Sequence, residues 1–407
     1  MRLLAWALVS AMAVAGCHET VDSLGYDDAS GIVLHRMHGP ESYPNAFGEV
    51  LGKSTAQIDA KIAQAFEQLF HGDPTTEAIF VPVSGQPQAY IEDVYNSDIR
   101  TEGMGLAMLI AYELNKRDEF DRLWNYTKAN LVVTTGAARG YLNSSCATPS
   151  TPCLDPYGLQ HVTMALLLAN DFWGSGVVDY GAGARDLLTV MRHKEDQNGG
   201  IVGGVTNSFD VATGVVFDQP LVSAANQTRP SIVTPGFYDL WAQATGDVYW
   251  TNTAASARAF WKKAANDSTG FMPTRAHLDG TPAANGMTFS KEGYRALINI
   301  VLDRIWTPTD DWDVEEANTL LRFFISEDID QYGSEYSLDG KTKIDGTRQN
   351  ALIIVNGVAG LISDIEQRKS FVDAVWNMPL QTGTLRYYQG ILQLVGLLML
   401  GGQFQVH

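Results

Sequence analysis

Cysteine is scarce, with three in 407 residues, at positions 17, 146 and 153. So few thiols, and a His161 without neighbours of its kind, rule out the usual zinc ligand spacings, so no metal and no cofactor is expected. Phosphate-loop chemistry is missing too. Gly199–Gly200 and Gly203–Gly204 lack the Lys–Ser/Thr step such a loop needs and read as turns. Asp310, Asp311 and Asp313 lack the glycine and glutamate spacing of a calcium loop. No Gly–x–Ser–x–Gly elbow occurs. Positive charge is in short supply: 28 Lys and Arg face 46 Asp and Glu, for a net charge of -18. That balance disfavours nucleic acid and anionic membrane surfaces as partners, and is neutral toward uncharged polysaccharide.

What is present is apolar and aromatic. The chain is 45% hydrophobic and 10% aromatic, enough for a large core. The apolar run Leu3 to Gly16 is too short to span a membrane and follows Met1–Arg2, so residues 1–16 are expected to be a signal peptide. Val14–Ala15–Gly16–Cys17 resembles a bacterial lipobox, which implies cleavage before Cys17 and lipidation of its thiol; ordinary cleavage with a free Cys17 is the alternative. The expectation is an exported, membrane-anchored lipoprotein, periplasmic or at the cell surface, touching the membrane only through Cys17. In an exported chain Cys146 and Cys153 can close a small disulfide loop around Pro149 and Pro152, the alternative being two free thiols. Residues 17–40 read as an exposed lead-in and 41–407 as a single domain.

Helical periodicity dominates that domain. Ile58, Ile62, Phe66 and Phe70 form one apolar stripe, and similar stripes recur to Leu400. About twelve helices are expected, with a few short strands at 79–83 and 90–91 and a hairpin around Val215–Phe217 and Leu221–Val222. Paired helices suggest a closed toroid or a solenoid, and the lack of a fixed-period repeat argues against the solenoid. The fold class is therefore an all-α (α/α)6 toroid with a few short strands, its loops gathered at one mouth.

The chain is organised around Asn96 to Leu109, where a polar loop opens into an apolar helix with Glu102 in the first turn. A glutamate there suits the helix dipole. Gly103 and Gly105 beside it cost helix stability and leave room for a bulky neighbour, read as a ligand. Arg100 lies close by. Phe289 to Ile300 repeats the format of loop, acid, glycine and apolar helix, with Glu292 as its acid and Arg295 three residues on. Two distant carboxyl groups of this kind are what glycosidic cleavage requires, one as acid and one as base or nucleophile. Asp155–Pro156–Tyr157–Gly158 is a good turn before a third helix. His161, inside that helix, reads as a core or wall residue. Tyr95, Trp124, Tyr238, Tyr294 and Tyr387 are aromatic candidates for sugar stacking, though most aromatics serve packing.

Arg100–Thr–Glu–Gly–Met104 resembles the acid-bearing segment of glycoside hydrolase family eight, and Glu292–Gly–Tyr–Arg295 resembles its base segment, where Asp is usual. Arg229 to Trp241 is similar to the family's loop and helix after a long excursion. Arg386–Tyr–Tyr–Gln–Gly390 is similar to its last helix, with Gln389 in place of Asp. In relatives an Asp precedes the helix Gly158–Trp173; alignment puts Tyr157 there, with Asp155 two residues earlier. The resemblance implies an inverting hydrolase of β-1,4-glycans, xylan or xylo-oligosaccharide before β-glucan. Glu102 would act as acid and Glu292 as base, with Asp155 or Tyr157 placing the sugar. Arg100, Tyr95, Tyr238, Arg295 and Tyr387 would bind substrate. The departures at Tyr157, Glu292 and Gln389 motivate an alternative, a non-catalytic glycan-binding lipoprotein on a hydrolase scaffold. A polysaccharide lyase on the same toroid is a third reading.

Overall fold

The computed structural model describes residues 31–145 and 152–407. The signal peptide, Cys17 and Cys146 lie outside the described residues. Cys153 is disulfide-bonded.

The helices run α1 (Ala46–Glu49), α2 (Thr55–His71), α3 (Thr101–Glu113), α4 (Arg117–Tyr126), α5 (Pro156–Trp173), α6 (Tyr180–Gln197), α7 (Pro235–Thr245), α8 (Val248–Ala264), α9 (Lys291–Tyr294), α10 (Ala296–Trp306), α11 (Trp312–Ser326), α12 (Asn350–Ile362), α13 (Arg368–Asn377) and α14 (Ile391–Leu400). Twelve of them have ten or more residues among the described residues. Their starts follow local chemistry. Ser54 and Gln57 form a capping box on α2; Asp155, Asp179 and Asp247 cap α5, α6 and α8; Pro156 and Pro235 sit in first turns, where no amide proton is needed. Gly246, at φ 66°, ends α7 in the left-handed conformation.

Six helices form an inner ring. α3, α5, α7, α10, α12 and α14 touch in that order, and α14 closes back on α3. They are buried on nearly every side: all of α14, Ala351–Leu361 of α12 and Gly103–Tyr112 of α3. A helix apolar all round must be enclosed, and here α2, α4, α6, α8, α11 and α13 enclose the ring, each packed on an inner partner. The result is an (α/α)6 barrel with its core between the two rings. Truncating one enclosed side chain, Leu397→Ala for example, costs about 2–5 kcal/mol at such a site.

Strands are short and peripheral. Phe80–Pro82 pairs with Ala89–Ile91, Gln227–Thr228 with Ala276–His277, and Thr288–Phe289, Glu335–Ser337 and Lys343–Asp345 form a three-stranded sheet. The expected hairpin is replaced by isolated bridges, Val205 to Leu221 and Phe209 to Val216. The lead-in also differs from its reading as exposed. Over its described part, Leu34 and Met37 are buried, and the amides of His35 and Met37 donate to Ala244 O and the Asp171 carboxylate. Its apolar side chains join the core and its backbone bonds to α5 and α7, which composition alone does not reveal.

Candidate active site

The residues that open the six inner helices meet at one mouth. Glu102 opens α3, Asp155 caps α5, Arg229 precedes α7, Arg295 precedes α10, Gln349 precedes α12, and Tyr387–Gln389 precede α14. Two joined cavities occupy this mouth and share Arg100, Glu102 and Lys291. One is about 530 Å³ and walled by Tyr95, Leu385, Tyr387 and Tyr388. The other is about 220 Å³ and lined largely by charged groups, among them Asp155, Asp218, Arg229, Arg275 and Glu292. A larger surface hollow of about 720 Å³ lies beyond Arg348 and contains neither glutamate.

Glu102 stands at the junction of the two cavities and pairs with the Arg295 guanidinium. The other end of that guanidinium lies 3.6 Å from Glu292 Oε1. Arg295 is buried, and its Cζ lies 4.9 Å from the centroid of the Tyr157 ring. One fixed cation thus separates two carboxylates that are remote in sequence.

Glu292 is held more tightly still. Ser231 Oγ donates to Oε2 at 2.7 Å, and Arg229 Nη1 lies 3.3 Å away. Burial pushes its carboxyl up. Arg295, Arg229, the Ser231 hydroxyl and Lys291 outweigh that and hold it down to about 2. It is therefore ionised across any ordinary working range. Arg229 also reaches Asp155 at 3.2 Å and pairs with Asp218, so it fastens the start of α5 to α9. Arg275 pairs with Asp218 behind it.

Asp155 faces the smaller cavity, but its oxygens also accept from the amides of Tyr157 and Gly158 as an N-cap. Tyr157 is placed differently from its expected role. It lines neither cavity; its buried ring underlies Arg295, and burial pushes its phenol up to about 12. It supports the cation instead of meeting a sugar. His161 packs on Tyr157 and bonds through Nδ1 to Tyr157 O at 2.8 Å; burial holds its imidazole down to about 3, so it is a neutral wall residue.

The space beside Gly103 and Gly105 is filled by protein, not by ligand. A Cβ on Gly103 would lie 2.6 Å from Tyr387 Cε2, and one on Gly105 would lie 2.6 Å from His161 Cβ. Gly158 allows α5 to approach α3: a Cβ there would lie 2.4 Å from Glu102 N. Small residues at these points let the helix starts converge.

Among the expected binding residues, Arg100 lines both cavities and is held by Asp98, at 3.0 Å through each of two nitrogens, and by Asp93. Tyr95 is 70% exposed at the larger cavity's edge and offers a free ring face. Tyr387 lines the same cavity, and its buried hydroxyl has no hydrogen-bond partner among the described residues. Tyr238 is a correction. It is buried among Phe209, Trp241 and Trp250, and its hydroxyl bonds Gln160 at 2.6 Å, so no ring face is open to a sugar. Trp124 and Tyr294 are buried as well. Sequence reasoning missed Arg229, Ser231, Lys291, Arg348 and Tyr388 as lining or holding groups. Arg229 carried a signal, since it immediately precedes the Pro230–Ile232 turn that leads into an inner-ring helix.

The model of the family described as Glycosyl hydrolases family 8 matches residues 89–402. The reducing-end xylose-releasing exo-oligoxylanase of Paenibacillus barcinonensis is 32% identical over 380 residues, covering 90% of this chain and 97% of that protein. A reducing end xylose-releasing exo-oligoxylanase of Halalkalibacterium halodurans is 32% identical over 383 residues, covering 89% and 94%. The crystal structure of a GH8 xylobiose complex from Teredinibacter turnerae superposes with a TM-score of 0.84 at 30% identity, covering 90% of this chain and 98% of that one.

Proposed function

The chain belongs to glycosyl hydrolases family 8, and from that premise we propose that it hydrolyses β-1,4-linked xylo-oligosaccharides with inversion, using Glu102 as acid and Glu292 as base. The observation that carries this reading is the placement of Glu102 and Glu292 on either side of the Arg295 guanidinium in the wall of one cleft. A sugar bound across the two cavities meets Glu102 at their junction. Glu102 gives its proton to the glycosidic oxygen as the C1–O bond breaks. A water attacks C1 from the other face, and Glu292 takes that water's proton. A glutamate in place of the usual aspartate reaches one methylene further, and the bonds from Ser231 and Arg229 fix where that longer arm ends.

The exposed ring of Tyr95 serves as a sugar platform, and Tyr387 adds an aromatic wall to the larger cavity. Asp155 takes part through Arg229 as well as by facing the cleft. Xylan fragments are favoured over β-glucan because two relatives are named for releasing xylose and a structural neighbour holds xylobiose. Export and a lipid anchor at Cys17 remain part of the proposal, and a disulfide at Cys153 suits an oxidising compartment. Release of reducing ends from xylo-oligosaccharides tests the reading. Glu102→Gln should lower kcat by about 10²–10⁴-fold while oligosaccharide binding persists. A Glu102→Gln protein that turns over normally would remove the assignment.

A further inference from the structure

We propose that Lys291 receives the carboxylate of an acidic substituent, a uronic acid carried on the glycan chain, so that this cleft accepts acidic xylo-oligosaccharides as well as neutral ones. This rests on the glycan-binding reading above. Lys291 is solvent-accessible and lines both cavities, one residue before Glu292. Its Nζ lies 4.2 Å from the Tyr388 ring centroid. That ring face orients the ammonium without neutralising it.

The other cations of the cleft are matched. Arg100 pairs with Asp98, Arg229 with Asp155, Arg275 with Asp218, Arg295 with Glu102, and Arg348 with Asp330. Among the described residues no carboxylate makes an ion pair with Lys291; Glu102 and Glu292 act on it only at longer range, and its Nζ packs on the Tyr388 ring. The two cavities together carry six cationic and five acidic side chains. Their lining is therefore net positive. This is a cationic island in a chain of net charge -18. Repulsion from the rest of the surface is screened beyond about 8 Å at physiological salt, so the local groups decide what the cleft admits. A neutral hydroxyl at Lys291 would make an ordinary hydrogen bond. A carboxylate would make a charge-assisted one, about twice as strong.

The test is calorimetric titration with two oligosaccharides of equal backbone length, one neutral and one bearing a single glucuronic acid, against the full chain, Lys291→Gln and Lys291→Arg. The readout is the ratio of the two affinities, so a general loss of binding does not affect it. The ratio in favour of the acidic ligand should fall about tenfold in Lys291→Gln, the size of one charge-assisted contact, and persist in Lys291→Arg. Raising salt should erode the ratio in the parent and leave Lys291→Gln unchanged. An equal ratio in parent and Lys291→Gln overturns the proposal. Binding does not require turnover, so failure of hydrolysis would sink the reading above and leave this one to be judged separately.

Discussion

Arg295 and Glu102 form an ion pair across 193 residues of chain, and the same guanidinium faces Glu292 three residues before it. The pair ties the start of α3 to the start of α10, on opposite sides of the inner ring. Burial of Arg295 makes this arrangement stiff. A buried charge that loses its partner costs about 3–5 kcal/mol, so neither carboxylate can swing away freely.

Replacing Arg295 by Lys should lower kcat far more than it raises KM. A single ammonium cannot address two carboxylates through separate nitrogens as the guanidinium does. The loss should exceed tenfold, read from steady-state kinetics on a neutral xylo-oligosaccharide. Equal kinetics in the Lys variant would show that the shared guanidinium is not needed.

The acid limb of the activity profile reports on the base. Ser231 Oγ donates to the ionised form of Glu292, so its loss favours the protonated form and raises the carboxyl's pKa. Ser231→Ala should therefore move the acid limb of kcat/KM to higher pH, and Ser231→Thr should leave it in place. The same shift has a stability consequence with a defined sign. The folded carboxyl titrates near 2 and an ordinary glutamate near 4.5, so this stabilisation is full above the upper value and is lost as pH falls toward the lower. A profile that does not move in Ser231→Ala would argue that another group is the base.

Glu316 on α11 behaves in the opposite sense. Burial, with Asp267 and Asp313 nearby, pushes its carboxyl up to about 8, and its Oε1 has no hydrogen-bond partner among the described residues. The folded chain holds this proton where the unfolded chain releases it, so stability falls as pH rises from about 4.5 to about 8. Glu316→Gln should remove that slope. The melting-temperature gain of the variant over the parent should grow from pH 5 to pH 8, by several degrees at most for a chain of this size. A gain independent of pH would refute the account.

Gly158→Ala probes the close approach that shapes the site. Its Cβ would stand 2.4 Å from the backbone of Thr101 and Glu102, and backbone cannot rotate away as a side chain can. The helix starts must part. The variant should lose about 1–3 kcal/mol of stability by denaturant titration and lose turnover at temperatures where it is still folded. Unchanged activity in the folded variant would show that Glu102 tolerates displacement.

The helices were readable from sequence because their causes are local. Apolar residues at three- and four-residue spacing, aspartate caps and first-turn prolines act within a few positions of one another. The same holds for the acid-bearing loops at Glu102 and Glu292, whose shared format marked both. Residues 215–222 misled because two short apolar runs separated by Asp218–Gln219–Pro220 also suit a hairpin, and here only isolated bridges form.

Sequence by itself determined the twelve long helices, the few strands, and the two acids in the first turns of helices at the mouth. Only the closed ring decided which side chains meet. It placed Arg295 between the glutamates, put Tyr157 beneath it, filled the space beside Gly103 with Tyr387, and buried Tyr238 in the wall. Helix formation is governed by neighbours a turn away, whereas the contacts of the mouth join segments up to about 190 residues apart, and those depend on how whole helices pack.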